Sequence, residues 1–149
     1  MLSNPDAIPF STTLHVRDTC LCLHVQRAAR ALARRFDKAM KPIGLTNGQF
    51  SMLMSLNRPS PASMASVAAL LAMDRTTLTA ALKVLERRGL VESTTDPKDR
   101  RGKLLTLTGS GMAALSSALP IWTAVHAEID RELEDGGSDR LRGSLTRID

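Results

Sequence analysis

Cations crowd one short stretch of this chain. In Asp96-Pro-Lys-Asp-Arg-Arg-Gly-Lys103 the basic residues Lys98, Arg100, Arg101 and Lys103 alternate with turn-forming Pro97 and Gly102, and with Asp96 and Asp99. A tip of this kind is suited to holding anions. Arg fits a narrow minor groove, where the negative potential of a DNA duplex is strongest. Asp99, two residues before Arg101, can fix the direction of that guanidinium by a charge-assisted bond. A second group lies just upstream. Arg75, Thr76, Thr79, Ala80, Lys83 and Arg87 recur at the spacing of one helix face. Small hydroxyl side chains and one Arg at a helix start can enter a major groove, bond phosphates and read base edges. Paired carboxylates, a nucleophile–base pair and a Gly-rich phosphate loop are all missing at usable spacing, so an enzyme is the least favoured class.

The surrounding elements must place these two groups side by side. Asp74 is an N-cap for a helix with Leu78, Ala81, Leu82 and Leu85 as its buried stripe, and Gly89 is its left-handed stop. Ser63 caps a shorter helix through Leu71 that buries Val67, Leu70 and Leu71, so 63–88 reads as a helix-turn-helix. Leu90 to Thr94 and Lys103 to Leu107 are short strands around the 96–102 tip. Thr46-Asn-Gly-Gln49 is a capping box opening a helix through Leu56 that turns Phe50, Leu53 and Leu56 inward. A helix feeding into a basic hairpin is the layout of a winged helix.

Two long helices flank this centre. One runs from about Thr12 to Met40, with a stripe of Leu14, Leu21, Val25, Ala28, Leu32, Phe36 and Ala39, and Arg27, Arg30, Arg34, Lys38 and Lys41 opposite; Pro42 and Gly44 stop it. The other runs from Gly109, capped by Thr108, to about Leu133. Pro120 inside it predicts a kink and not a break. Asp135–Ser138 is a turn, and a last helix shows Leu141, Leu145 and Ile148. Residues 1–11, with Pro5 and Pro9, read as a flexible arm. Both long helices carry more apolar surface than one small domain covers, which predicts a helical dimer interface.

Composition agrees. The 149 residues fit one domain, and the 43% hydrophobic fraction supports a core built on Leu, Ala, Met and Val, since aromatics are only 3% and Tyr is absent. The net charge of +5 suggests a polyanionic partner. No apolar run reaches the length of a membrane span, no signal peptide is recognisable, and two Cys are too few for a disulfide framework. The expected compartment is the cytoplasm.

The chain resembles the MarR family of bacterial transcription regulators. The likeness rests on Leu45-Thr46-x-x-Gln49-Phe50, Asp74-Arg-Thr-Thr-Leu-Thr79, Leu85-Glu-Arg-Arg-Gly-Leu-Val91, Asp96-Pro-x-Asp-Arg-Arg101 and Leu107-Thr108-x-x-Gly111, in order and spacing, over about residues 18–147. It implies a mainly α (α+β) winged helix-turn-helix over about 45–108, with dimerisation helices over about 12–42 and 109–149, in a homodimer bound to a pseudo-palindromic operator. Its members are often repressors released by small phenolic or lipophilic effectors. Carried over, Arg75, Thr76, Thr77 and Thr79 lie near the DNA and Asp99 with Arg101 is the wing pair; together with Lys83, Lys98, Arg100 and Lys103 from the helix face and the hairpin tip, these are the expected DNA-binding residues. Two departures remove positive charge from the DNA side: Ala80 where many members have Arg, and Ser93 where many have a basic residue.

One branch of that family senses organic hydroperoxides through a Cys in the first helix, which aligns with Cys22 in Leu21-Cys-Leu. The Tyr partners of that thiol are replaced here by Gln26 and Phe36. On an unbroken helix Cys20 and Cys22 point about 200° apart and cannot pair. His15, His24 and His126 have no acidic or thiol cluster at ligand spacing, so neither metal nor cofactor is expected. An effector pocket is expected where the first helix, the 46–57 helix and the 109–133 helix meet, with Phe36, Met52, Met54 and Trp122 as candidate lining. The sequence therefore reads as a ligand-responsive repressor that binds double-stranded DNA as a homodimer. The alternatives are a hydroperoxide sensor acting through Cys22 and, in another class, a protein-interaction module that binds no DNA.

Overall fold

The computed structural model describes residues 6–149, and these divide into two compact units with the boundary between Arg34 and Arg35. Residues 1–5 of the expected arm lie outside the described residues.

The first unit holds α1 (Phe10–Thr19) and the opening turns of α2 (Leu21–Met40). The single helix expected over 12–40 is interrupted at Cys20, whose backbone is extended (φ −69°, ψ 111°) while its N–H still bonds the Val16 carbonyl. That interruption corrects the expected geometry of the cysteines, because Cys20 is not on the same regular helix as Cys22. No described residue of this unit is buried; Leu21 of the expected stripe is 70% exposed.

The second unit contains the core. The last turns of α2 contribute Phe36 and Met40, after which a 3₁₀ turn (Lys41–Ile43) and Gly44 in the left-handed region (φ 71°) end the segment. Then come α3 (Asn47–Leu56), β1 (Ala62–Ser63), α4 (Met64–Leu71), α5 (Arg75–Arg87), β2 (Val91–Asp96), β3 (Asp99–Leu107), α6 (Gly109–Glu132) and α7 (Gly137–Thr146). The strands form an antiparallel sheet in the order β1-β3-β2. Leu53, Val67, Leu78, Leu85, Leu105 and Leu115 meet in one cluster, so α3, α4, α5, the sheet and α6 share a single apolar centre. Arg35 adds a charged tie from α2 to α6, bonding Glu132 at 2.5 and 2.8 Å and Glu128 at 3.2 Å. These bonds hold the Glu132 carboxyl below its usual range.

The helix starts follow the sequence closely. The Thr46 capping box is formed in both directions, with Gln49 N–H donating to Thr46 Oγ1 and Thr46 N–H to Gln49 Oε1, both at 3.1 Å. Ser63 and Thr108 accept from the third amides of α4 and α6. α6 runs unbroken through Pro120. Three details differ from expectation. Leu70 is 64% exposed and lies off the buried stripe of α4. The hairpin strands run further than expected, leaving only Pro97 and Lys98 as the turn. β1 was not expected: it pairs through Ala62 with Leu105 and through Ser63 with Leu104. A two-residue strand is too short to carry a period-2 pattern, so its signal is absent from the sequence.

One close approach fixes how α6 leaves the hairpin. Thr108 N–H donates to the Leu90 carbonyl at 3.1 Å, Thr108 Oγ1 donates to the Gly89 carbonyl at 2.6 Å, and Gly111 N–H donates back to Thr108 Oγ1 at 3.0 Å. A Cβ at Gly111 would stand 2.0 Å from the Leu90 oxygen. Gly111→Ala is therefore expected to lower the unfolding free energy by about 3 kcal/mol in a urea titration, at the upper end of overpacking costs. Gly109→Ala, where the added Cβ meets nothing within 4 Å, is the neutral control.

Candidate nucleic-acid interface

The α4–α5 pair is a helix-turn-helix in geometry as well as in sequence. Ala72 adopts the left-handed region (φ 50°), and Met73 N–H bonds the Ala68 carbonyl at 3.0 Å, closing the turn. Asp74 then opens α5 with both carboxylate oxygens. Oδ1 accepts from Thr77 N–H at 2.8 Å and Oδ2 from the Thr77 hydroxyl at 2.7 Å. These bonds from Thr77, backbone first, lower the Asp74 pKa from its usual value. They also revise the expected part of Thr77: its hydroxyl proton is committed to the cap and not to a DNA partner.

Leu78, Leu82 and Leu85 anchor α5 in the core. The opposite face is open, and Arg75, Thr76, Thr79, Ala80 and Lys83 together line a shallow, mostly apolar depression on it. Five of the six residues expected on one face are thus brought together, with a cation at each end; Arg87 is not among them.

The wing departs from a simple protruding loop. Thr95 pairs with Lys103, but Asp96 pairs with Asp99, so Arg100, Arg101 and Gly102 bulge from the ladder. Bulges twist a hairpin and re-aim its side chains. The expected ion pair is replaced by backbone contacts. Asp99 Oδ1 accepts from the Arg101 backbone N–H at 3.0 Å, and Asp96 Oδ1 from the Lys98 N–H at 2.9 Å. Both carboxylates shape the turn and leave the guanidinium of Arg101 unpaired. Among the described residues the ion pairs lie elsewhere, at Arg17–Asp18, Arg35–Glu128, Arg35–Glu132, His126–Asp130 and Arg142–Asp139. Arg75, Lys83, Lys98, Arg100, Arg101 and Lys103 are exposed and joined to no carboxylate.

Sequence reasoning missed the support given by Arg58. Its Nε donates to the Ser55 carbonyl at 2.7 Å and its Nη1 to Ser66 Oγ at 3.0 Å, tying the end of α3 to the start of α4. Nothing in the spacing of Arg58 and Pro59 points to a tie between helices.

The expected effector lining separates. Phe36 and Met52 are core residues, 7% and 2% exposed, and stand apart from the groove that holds the other two. Met54 and Trp122 line that groove, together with Phe50, Leu70 and Leu119, between α3, α4 and α6. Trp122 stacks on Phe50 with ring centroids 6.3 Å apart and lies 4.7 Å from His126. Cys22 is exposed and accepts from the Gln26 side-chain amide at 3.2 Å; Cys20 is half-buried. No three His, Cys, Asp or Glu side chains form a metal-binding group among the described residues. No described helix is long and apolar enough to cross a membrane.

Known proteins share this architecture. The MarR family model matches residues 45–103. The transcriptional regulator MosR of M. tuberculosis, solved in complex with DNA, is 39% identical over 87% of this chain and 92% of its own, with a TM-score of 0.79. The transcriptional repressor CouR, solved on a 23-mer DNA duplex, is 30% identical over 89% of this chain and 92% of its own, with a TM-score of 0.72. CouR of Rhodococcus jostii RHA1 is also solved with p-coumaroyl-CoA; that structure is 26% identical over 88% and 92% of the two chains, with a TM-score of 0.75.

The Asp74 cap gives a pH signature. A carboxylate whose folded pKa is lowered contributes stability above its unfolded pKa and loses it as the pH falls through the folded value. Asp74→Asn keeps an acceptor for the Thr77 amide but has no charge to lose. Its stability is expected to fall less steeply than the wild type below about pH 4, followed by circular dichroism during acid titration.

Proposed function

The chain belongs to the MarR family of transcription regulators, and on that basis we propose that it is a repressor that binds a pseudo-palindromic operator as a homodimer. One observation carries the DNA contact. The cations of α5 and of the wing are exposed and unpaired, while the neighbouring carboxylates Asp74, Asp96 and Asp99 are occupied by backbone amides. Charges left this way are available to phosphates, and their binding releases counterions and so weakens with salt. In this reading Arg75, Thr76, Thr79 and Lys83 contact the major groove. Lys98, Arg100, Arg101 and Lys103 contact the flanking backbone and minor groove. Thr77 and Asp99 position the two elements. MosR and CouR, both solved on DNA, support the assignment.

The helices outside 45–108 would join two copies. Val16 and Leu21 in the first unit, and Leu141, Leu145 and Ile148 at the other end, are exposed apolar side chains of the kind that a partner covers. An effector would take the groove of Phe50, Met54, Leu70, Leu119 and Trp122, whose walls are apolar and aromatic. The p-coumaroyl-CoA bound by CouR supports a phenolic class of ligand.

A second reading keeps the fold and changes the signal. Cys22 is exposed and its sulfur meets the Gln26 amide, so a hydroperoxide could reach it. Its thiolate would take the terminal oxygen, leaving a sulfenic acid and an alcohol. Release from DNA by cumene hydroperoxide that Cys22→Ser abolishes would favour this signal; release that survives the substitution would remove it.

DNA binding is tested with purified protein and fragmented genomic DNA, followed by anisotropy on the fragment recovered. Arg101→Ala is expected to weaken binding tenfold or more, about 1.4 kcal/mol, with the dimer intact by light scattering. Unchanged affinity would take the wing out of the mechanism.

A further inference from the structure

The depression on the exposed face of α5 is mostly apolar, with Ala80 in its lining and the hydroxyls of Thr76 and Thr79 beside it. We infer that it receives thymine C5-methyl groups in the major groove, which makes Thr79 and Ala80 specificity-determining residues. The inference rests on the proposed DNA binding.

Arg75 and Lys83 are eight residues apart, about 12 Å along the helix axis. That matches the major-groove width of about 12 Å. With the two cations at the ends, the centre of the helix faces base edges. What it offers there is Thr76, Thr79 and Ala80, and the lining is mostly hydrocarbon. Ala80 has no polar atom. Thr77, the neighbouring hydroxyl, is already bonded to Asp74. The floor is held in place because Leu78 and Leu82 are buried behind it.

Of the four bases, only thymine presents an apolar group to the major groove. A methyl group seated in the depression is removed from water against hydrocarbon. The amino group of cytosine or adenine placed over Ala80 would lose hydration against a side chain that offers no acceptor, which costs binding. A long side chain at position 80 would close the depression, so the small residue is what leaves room for the methyl.

The test uses the full-length protein and the duplex recovered from genomic selection. Each thymidine of a half-site is replaced in turn by deoxyuridine, which removes the methyl and keeps the pairing and O4. At the positions under α5 the Kd is expected to rise about fourfold per methyl. Thr79→Ser keeps the hydroxyl and removes the side-chain methyl; it is expected to shrink the thymine-over-uracil preference while the salt dependence stays that of wild type. Ala80→Gly gives the same readout at the adjacent base. A duplex that binds tightly but is indifferent to every deoxyuridine substitution overturns the inference and leaves DNA binding standing. Recovery of no duplex overturns the DNA-binding proposal itself.

Discussion

The contact between Gly111 and the Leu90 carbonyl is the constraint on which the rest of the candidate interface depends. α5 ends at Arg87, Gly89 turns the chain with φ 70°, and Leu90 leads into β2. β3 returns to Thr108, which bonds both Gly89 and Leu90 and caps α6. The end of the helix, both strands of the wing and the start of α6 therefore meet at one point. A side chain at 111 would force them apart. With the junction closed, the bulge of Arg100–Gly102 and the open face of α5 are held in a fixed relation. Two contacts held rigidly bind better than two joined by a flexible link, because less conformational freedom is lost on binding.

The distribution of charge follows a similar economy. The carboxylates nearest the cations bond backbone amides, at Asp74, Asp96 and Asp99. Each shapes a turn or a helix start without neutralising a neighbouring cation. Arg35 is treated in the opposite way, since Glu128 and Glu132 hold it between two helices of the second unit. The same residue type is thus structural where carboxylates face it and available where they face the backbone.

Much of this was legible in the sequence, for physical reasons. Caps are local, so Thr46, Ser63, Asp74 and Thr108 announce their helices within four residues. The buried stripe of α5 follows from period alone. Long-range pairing is not local, and that is where expectation failed. β1 exists only because β3 offers it a partner. Aromatics and Met line pockets as well as cores, so residue type alone did not reveal that Phe36 and Met52 are buried in the core. The break at Cys20 has no Gly or Pro to mark it. The bulge in β3 turned the expected Asp99–Arg101 side-chain bond into a backbone one, a change of register that spacing alone does not reveal.

The central claim is that α5 and the wing touch one duplex together, twice per dimer. Dimethyl sulfate footprinting of the protein on its selected duplex tests it most directly, because it methylates guanine N7 in the major groove and adenine N3 in the minor groove. The account predicts two half-sites about one helical turn apart, roughly 10 bp centre to centre, or a multiple of that spacing. Each should show protection at a major groove and at the minor groove beside it. Protection confined to one groove, or no protected base at all on a duplex that binds, would contradict it.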